Sequence, residues 1–430
     1  MNETTTLTAR DQTALQLWLS KLGPGLITGA ADDDPSGIAT YSQAGAQFGL
    51  TMLWTILFTY PLMVAIQVIS ARIGRVSGVG LAGNLRLHFP RGLVYLIVAL
   101  LLVANTINIA ADVSAMGEAM ALVAGGSSRL YAALFGMISL LLQVFIPYSR
   151  YVRVLKWLTL ALLAYVATVF TISIPWGQVL RDTIWPHISW TSAYITTMVA
   201  VFGTTISPYL FFWQASQEVE ELQACNFSQA LRDAPDQARS NFHRIKVDTV
   251  IGMGFSNLVA FFIILTTAVT LYAHGITEID TSAQAAAALR PLAGEFAFIL
   301  FSAGIIGTGM LAVPVLAGSA AYAMAGAFAW KKGLEHKPQE AKRFYGIIAV
   351  STLVGIALGF TSIDPIKALY WSAVINGVIA VPIMAVMMLM AANSAIMGRF
   401  VIGPRLKLLG WVTTTVMTLA VLSMFWTSLT

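Results

Sequence analysis

Charge is scarce in this sequence, and cysteine is nearly absent. Only 10% of the residues are Asp, Glu, Lys or Arg, whereas 57% are hydrophobic, and the mean hydropathy is +0.75. A soluble globular domain carries about 25% charged residues, so the composition excludes a soluble enzyme of this length. The single cysteine, Cys225, excludes an internal disulfide and any metal site built from several cysteines.

The apolar residues form runs that are long enough to cross a membrane. A helical span needs about 20 mainly apolar residues, and turn signals divide the chain into eleven such spans, of which the first and the sixth are interrupted. The predicted limits are 16–47, 50–72, 92–123, 130–148, 154–175, 191–222, 245–273, 293–326, 343–361, 365–391 and 406–428. The sequence therefore predicts an all-α polytopic membrane protein.

The basic residues predict the orientation. The segment 1–16 is polar and lacks the basic start and short apolar core of a cleaved signal, so we expect a short cytoplasmic tail. Because Lys and Arg accumulate on cytoplasmic loops, 21 of the 25 basic residues fall inside when the N-terminus is inside, and four fall outside: Arg129, Arg181, Arg290 and Lys367. We expect a plasma (inner) membrane protein with an extracytoplasmic C-terminus. The pI near 9.3 then reflects topology and indicates no nucleic-acid partner.

Three consecutive acids, Asp32, Asp33 and Asp34, interrupt the first span, and Pro35 follows them. A charged side chain in a bilayer costs at least about 2.5 kcal/mol, so such residues usually line an ion or solute path. Proline breaks the helix, and broken helices near the midplane build the cation sites of many transporters. Successive helical residues point about 100° apart. We therefore expect Asp34 to be the ligand and the other two acids to lie toward a vestibule.

The sixth span contains a second break at 201–209, where Pro208 follows Ser207 and no acid is present. Each break opens a set of five spans, and an odd number of spans inverts the second set. Paired breaks in corresponding helices indicate a transporter's substrate site, and their freed carbonyls can bind a cation where they line a cavity. The predicted units are one transporter domain over 1–430, repeats at about 16–175 and 191–391, and an extra helix at about 406–428.

The long polar stretch 217–243 joins the sixth and seventh spans. Its alternating charges predict a short solvated helix. The alternative interpretation is an inner vestibule whose acidic face attracts cations.

Several short motifs are recognisable together. They are Gly-Pro-Gly at 23–25, Asp-Pro-Ser-Gly at 34–37, Gln-Ala-Gly-Ala-Gln-Phe-Gly at 43–49, Ser-Ala-Arg-Ile-Gly at 70–74, Ala-Asp-Val at 111–113, Gly-Thr-Gly at 307–309 and Ala-Gly at 317–318. The sequence thereby resembles the Nramp family of divalent-metal transporters, over most of the chain to about residue 390. The resemblance implies a leucine-transporter-type fold of two inverted five-helix repeats plus an eleventh helix. It implies a transported divalent cation, Mg²⁺ or Mn²⁺, and no resident cofactor.

The sequence departs from the family at two ligand positions. The family's first-span motif is Asp-Pro-Gly-Asn, and Gly37 stands at the asparagine; its sixth-span motif is Met-Pro-His, and Ser207 and Tyr209 replace the outer residues. A thioether is a soft ligand that favours transition metals over Mg²⁺. Without the methionine thioether and the asparagine, the site has fewer side-chain ligands and more space. Such a site suits Mg²⁺, which keeps several of its waters when it binds. The sequence is similar to a magnesium-transporting branch, permissive for Mg²⁺ and Mn²⁺.

Proton coupling in the family uses acids in the third span and histidines in the sixth. Asp112 matches the first acid, but Ala115 stands at the second position. Tyr209 and Gln214 occupy the histidine positions, and neither side chain titrates near neutral pH. Glu118, about two turns from Asp112, is the alternative acid, although a packing role for both remains open. We predict uptake driven by the membrane potential, with Asp112 and Glu118 marking any proton or secondary path.

The expected ligand set is centred on Asp34, with the region of Gly37 beside it. Thr204 and Ser207 are expected to donate carbonyl or hydroxyl oxygens, directly or through water. Asn376 in the tenth span is a further candidate oxygen, although a lone membrane asparagine often only joins helices.

Two other functions fit the same architecture. One is a proton-coupled Mn²⁺ or Fe²⁺ importer, and the other is a cation-coupled carrier of an organic solute, in which Asp34 would face a substrate carboxylate unfavourably. No nucleophile–base pair, Cys/His metal motif or phosphate loop indicates an enzyme. The expected partners are the divalent cation and the lipid bilayer, with no nucleic acid and no obligate protein partner.

Overall fold

The computed structural model describes residues 24–146, 158–224, 229–361 and 364–429, and this part of the chain contains helices and short 3-10 turns but no β-strand. The α-helices are α1 (Pro24–Asp32), α2 (Pro35–Phe48), α3 (Leu53–Ser77), α4 (Leu81–His88), α5 (Arg91–Ala124), α6 (Ser128–Phe145), α7 (Leu163–Val169), α8 (Trp176–Ile184), α9 (Ser192–Thr205), α10 (Pro208–Ala224), α11 (Ala238–Thr270), α12 (Ser282–Ala287), α13 (Arg290–Ala293), α14 (Ala297–Phe328), α15 (Lys342–Leu358), α16 (Pro365–Ala392), α17 (Ser394–Met397) and α18 (Pro404–Leu429). Cys225 and the predicted tail at 1–16 lie outside the described residues.

Eight helical stretches in the described ranges are long and apolar enough to cross a membrane. One of them, Pro35–Ser77, combines the second half of the first predicted span with the whole second span. The fifth predicted span, 154–175, is described from residue 158 and contains the short helix α7. The ninth, 343–361, corresponds to α15, which has 17 residues. Helices therefore occupy the predicted spans in the described part, although the fifth span contains only a short one.

Proline fixes where four of these helices begin. Helices α2, α10, α16 and α18 each start on proline, a position where the missing N–H would have no partner within the helix anyway. An aspartate side chain accepts first-turn N–H groups at two of them, Asp34 at α2 and Asp364 at α16. The chain is thus broken between α1 and α2 and between α9 and α10, as the sequence predicts.

The two breaks lie inside the bundle because neighbouring helices approach them closely. Helix α1 packs against α11, and α2 contacts α9, α11 and α16. A methyl group on Gly203 of α9 would overlap the carbonyl oxygen of Ala373 on α16, and one on Gly29 of α1 would overlap the backbone of Gly252 on α11. Such contacts between small residues are typical of helices associating in membranes.

The outer surface of the bundle is apolar. Large hydrophobic side chains such as Phe145, Leu389 and Trp426 are exposed, and Phe170 reaches 80% exposure. Such extensive exposed apolar surface marks an interaction or membrane site rather than a water-facing exterior. The surface agrees with the apolar helices in indicating a multi-pass membrane protein.

Candidate metal centre

The first break is organised by the side chain of Asp34. This residue is the N-cap of α2, and its Oδ1 accepts the backbone N–H of Gly37 at 2.7 Å. A capping carboxylate satisfies one of the free N–H groups of the first turn and interacts favourably with the positive end of the helix. One oxygen of the carboxylate is therefore used by the fold, which leaves Oδ2 for another partner.

Two side chains face the second oxygen of Asp34. The hydroxyl of Tyr209 donates to Oδ2 at 3.2 Å, and Nδ2 of Asn108 donates at 3.5 Å. The same hydroxyl lies 3.0 Å from the carbonyl oxygen of Ala31, but its single hydrogen can serve only one acceptor at a time. Asp34 is 2% exposed, so these donors replace the water that an ionised carboxylate needs. They hold a negative oxygen in place inside the bundle.

The second break is organised by Ser207. Its hydroxyl donates to the carbonyl oxygen of Thr204 at 2.6 Å and lies 3.0 Å from that of Gly203. The hydroxyl thus satisfies carbonyls at the end of α9 that lose their helical partners. Because its hydrogen is used in this way, Ser207 retains only lone pairs with which to contact a cation or its water.

The breaks touch each other at Gly37. A methyl group on Gly37 would lie 3.2 Å from Oγ1 of Thr204 and 3.3 Å from the ring of Tyr41. The expectation that Gly37 leaves additional space stays a prediction, since these distances describe only the first side-chain carbon at this position. The structure brings Asp34, Gly37 and Thr204 together. Ser207 follows one turn later, turned back onto its own helix.

Asn376 lies on α16 at the contact between α16 and α9. It is 2% exposed, and its Oδ1 has no hydrogen-bond partner in the described part of the chain. The adjacent Gly377 packs on the backbone of Gly203, where a methyl group on Gly203 would lie 2.5 Å from the Gly377 nitrogen. Asn376 is thus next to the second break and has a free acceptor, without a recorded contact to Asp34.

The third-span acids have different surroundings. Asp112 on α5 is fully buried, both its carboxylate oxygens lack hydrogen-bond partners among the described residues, and it interacts electrostatically with Asp34. Glu118 lies nearer the C-terminal end of α5, where its Oε1 accepts the N–H of Ser282 at 3.1 Å, in the first turn of α12. The structure brings Asp112 to the centre, whereas it gives Glu118 a structural partner elsewhere.

Asp32 and Asp33 both contact α11. Oγ of Ser256 lies 2.6 Å from Oδ2 of Asp32 and 3.0 Å from Oδ1 of Asp33. The two acids are 1% and 2% exposed. The expectation that they lie toward a vestibule is therefore wrong, because the break turns their side chains into the α1–α11 interface.

The centre is closed on the side toward which α2 runs. A cavity of about 520 Å³ opens there, lined in part by Gln43, Glu278, Asp280 and Lys367. Beneath it the hydroxyls of Thr197 and Tyr370 are 2.8 Å apart and join α9 to α16. Ser36 additionally donates to the carbonyl oxygen of Leu369 at 2.9 Å. Hydroxyl contacts thus separate the cavity from Asp34.

The opposite side is closed by ion pairs, here named the Glu218 cluster: Arg75, Glu218, Glu221 and Arg244. Arg244 lies 2.6 Å from Glu218 and 3.0 Å from Glu221, and Arg75 lies 3.8 and 3.6 Å from the same two acids. The Glu218 side chain is 0% exposed. The predicted solvated helix is therefore wrong at its start, because α10 continues through these glutamates and buries one of them between α3 and α11.

A profile of the family described as natural resistance-associated macrophage protein-like matches residues 25–427. The chain belongs to the Nramp family. It is a multi-pass membrane transporter of divalent metal cations rather than an enzyme, and the family resemblance in its motifs is confirmed.

Solved structures share the fold of this Nramp chain. A manganese transporter of Eremococcus coleocola is 18% identical with a TM-score of 0.73, and the match covers 96% of this chain and 88% of that one. The same transporter with a bound aromatic bis-isothiourea compound gives 17% identity, a TM-score of 0.70 and coverage of 97% and 88%. MhsT in complex with L-phenylalanine is 14% identical with a TM-score of 0.60, and the match covers 97% of this chain and 100% of that one. The all-α fold of the leucine-transporter type is confirmed.

The centre of this Nramp chain contains groups that the sequence did not suggest. Asn108 was missed, although it stands one turn before Asp112 and the spacing of four places both on one face of α5. Tyr209 was noted only as a side chain that does not titrate, yet it contacts Asp34. Among the described residues no three His, Cys, Asp or Glu side chains form a metal-holding group. Besides the Asp34 carboxylate, a cation here would meet hydroxyl, amide and carbonyl oxygens or water, as a hard ion can.

Proposed function

We propose that this Nramp-family chain moves hydrated Mg²⁺ into the cell, accepts Mn²⁺, and couples this movement to protons weakly or not at all. The observation that carries the proposal is the set of groups around Oδ2 of Asp34, which are the hydroxyl of Tyr209 and the amide of Asn108. Neither group contains sulfur, and Ser207 stands where a soft thioether would favour transition metals.

The proposed ligands are Asp34 as the charge, with Gly37, Thr204, Ser207 and Asn376 contributing oxygens directly or through water. Only one carboxylate oxygen is free of the helix cap. Mg²⁺ demands octahedral geometry, dehydrates reluctantly and is usually bound by one or two carboxylates and several waters. A sparse set of neutral oxygens around one carboxylate oxygen therefore suits a partly hydrated ion better than a bare one.

Weak proton coupling is supported by the two sixth-span positions at which the family has histidines. Tyr209 and Gln214 stand there, and Nε2 of Gln214 donates to Oγ1 of Thr249 at 3.0 Å in a neutral contact. The membrane potential supplies about 2.3 kcal/mol per elementary charge per 100 mV. A divalent ion gains twice that amount, so uptake needs no proton.

A proton-coupled Mn²⁺ or Fe²⁺ importer is the second candidate, and Asp112 is the observation that favours it. This acid is fully buried and unpartnered within the described residues, and it lies in electrostatic contact with Asp34. An acid so placed can carry a proton toward the centre, with Glu118 as a secondary acid on the same helix. The manganese transporter of the same fold gives this candidate further support.

We place the chain in the plasma (inner) membrane with its N-terminus in the cytoplasm and its C-terminus outside. The support is the accumulation of Lys and Arg on one side. In this orientation the cavity at Lys367 is an outer vestibule and the Glu218 cluster lies on the cytoplasmic side. The proposed working units are the repeats at about 16–175 and 191–391, with an extra helix at about 406–428.

The experiment is cation flux into proteoliposomes that contain the purified protein and a pH-sensitive dye. We expect Mg²⁺ uptake without acidification, also driven by an imposed inside-negative potential. Asp34→Asn is the matched control, because asparagine caps a helix as well as aspartate does but carries no charge. Acidification that accompanies Mn²⁺ uptake, with no response to Mg²⁺, would establish the second candidate instead.

A further inference from the structure

The two acids that the Asp34 centre does not use converge on one hydroxyl. Asp32 ends α1, and Asp33 follows it in the break; Oγ of Ser256 lies 2.6 Å from a carboxylate oxygen of the first and 3.0 Å from one of the second. A serine hydroxyl has one hydrogen. It can satisfy only one carboxylate, so the other faces the serine oxygen without a hydrogen between them.

A further oxygen of these acids also lacks a partner. Oδ1 of Asp32 has no hydrogen bond within the described ranges, although this residue is only 1% exposed. Tyr41 interacts electrostatically with all three acids of the break, most strongly with Asp32. No Lys or Arg in the described part forms an ion pair with Asp32 or Asp33. Buried polar groups in this state require a ligand or a proton to balance them.

We propose that Asp32, Asp33 and Ser256 form a second binding position for the transported divalent cation, separate from Asp34. A proton on one acid can be donated to the oxygen of Ser256, but it neutralises only that acid and leaves the other charged. A cation instead accepts all three oxygens at once. Carboxylate and hydroxyl oxygens are hard donors, which suits a partly hydrated Mg²⁺ or Mn²⁺.

The position is divided between two helices. Asp32 and Asp33 belong to α1 and the break, and Ser256 belongs to α11. The two helices are joined below this point by the contact of Gly29 with Gly252 and by the N–H of Gly25, which donates to Oδ2 of Asp248 at 2.7 Å. A bound cation therefore favours α1 packed on α11, and separation of the helices removes Ser256 from the ligand set. This inference rests on the proposed cation transport and adds a binding step on the α11 side of the break.

The test is anomalous diffraction from crystals of the full-length protein soaked in Mn²⁺. We expect one anomalous peak at Asp34 and another between Asp33 and Ser256. Ser256→Ala should remove only the second peak, whereas Asp34→Asn should remove only the first. Ser302→Ala is the matched control, because its buried hydroxyl donates to the carbonyl oxygen of Ala119 on α5, and it should retain both peaks.

The possible results separate the two proposals. A peak at Asp34 alone, at Mn²⁺ concentrations that saturate it, would overturn the second position and leave the proposed function standing. A peak at Ser256 alone would support the second position and remove Asp34 as the principal ligand. Counting bound Mn²⁺ by electron paramagnetic resonance checks the stoichiometry in solution, where Ser256→Ala should lose one bound ion. An unchanged count in that variant would overturn the inference even if the crystals showed both peaks.

Discussion

The two helix breaks lie side by side but treat their free backbone groups in opposite ways. At the first break the Asp34 carboxylate caps the following helix with one oxygen and presents the other to Tyr209 and Asn108. At the second, the Ser207 hydroxyl turns back to the carbonyls of the preceding helix. The charge of the centre therefore comes from one break only. The other break supplies neutral dipoles, so equivalent mutations should have very unequal effects.

The comparison extends to the half-helices below the breaks. Helix α1 is held on α11 by glycine contacts, and a methyl group on Gly29 would overlap Gly252. Helix α10 is held on α3 and α11 by the Glu218 cluster. Close packing and ion pairs respond differently to single substitutions, because a buried charge that loses its partner is far costlier than an ordinary polar group.

The largest effect is expected for Asp34→Asn. The substitution removes the charge of the first break and preserves the helix cap. Losing a residue that only supports a metal ligand typically costs up to about 100-fold. Because Asp34 is the proposed ligand itself, Mg²⁺ uptake should fall by more than that. Thermal unfolding should change little. Asp34→Ala should lose the same uptake and also about 1 kcal/mol of stability through the missing cap. Proteoliposome flux and thermal unfolding of both variants measure this, and appreciable uptake by Asp34→Asn would contradict it.

The next effect is expected for Arg244→Gln in the Glu218 cluster. The glutamate that Arg244 contacts at 2.6 Å is fully buried, and removing one partner of a buried ion pair typically costs about 3–5 kcal/mol. The transition temperature in detergent should fall clearly. Arg232→Gln is the control, since Arg232 donates to the carbonyl oxygen of Ala395 at an exposed position. Equal shifts in the two variants would show that the cluster does not secure α10.

Much of this architecture could be predicted from the sequence, because spans, prolines and buried charge leave local signals. The break at Pro35 follows from three acids inside an apolar run, and the fold follows from the Nramp motifs. The partners of Asp34 could not be predicted, because Tyr209 and Asn108 reach it only when α10 and α5 pack together. The burial of Glu218 could not be predicted either. The two arginines that pair with it lie on α3 and α11, far from it in sequence, so the polar stretch around it indicated a helix in water.

A moderate effect is expected for Tyr209→Phe, which keeps the ring and removes the hydroxyl that faces Asp34. Losing a group that orients a metal ligand typically costs 10–100-fold, and Asn108 still contacts the carboxylate, so we expect about 10-fold weaker apparent affinity for Mg²⁺. Concentration dependence of uptake measures it. Tyr60→Phe is the control, since its hydroxyl donates to the carbonyl oxygen of Val250 at 2.9 Å. An unchanged affinity in Tyr209→Phe would mean that Asp34 needs no such support.

The smallest effect is expected for Ser207→Ala at the second break. The variant loses the hydrogen bond to the Thr204 carbonyl, which is worth about 1 kcal/mol, and it frees that carbonyl to face the cation or its water. Uptake should therefore change less than in Tyr209→Phe. Ser351→Ala removes a comparable hydroxyl that donates to the carbonyl oxygen of Ile347 on α15, and the two variants should lose similar stability. If Ser207→Ala instead abolished uptake as Asp34→Asn should, the serine oxygen would be an indispensable ligand, and the two breaks would contribute equally to the site.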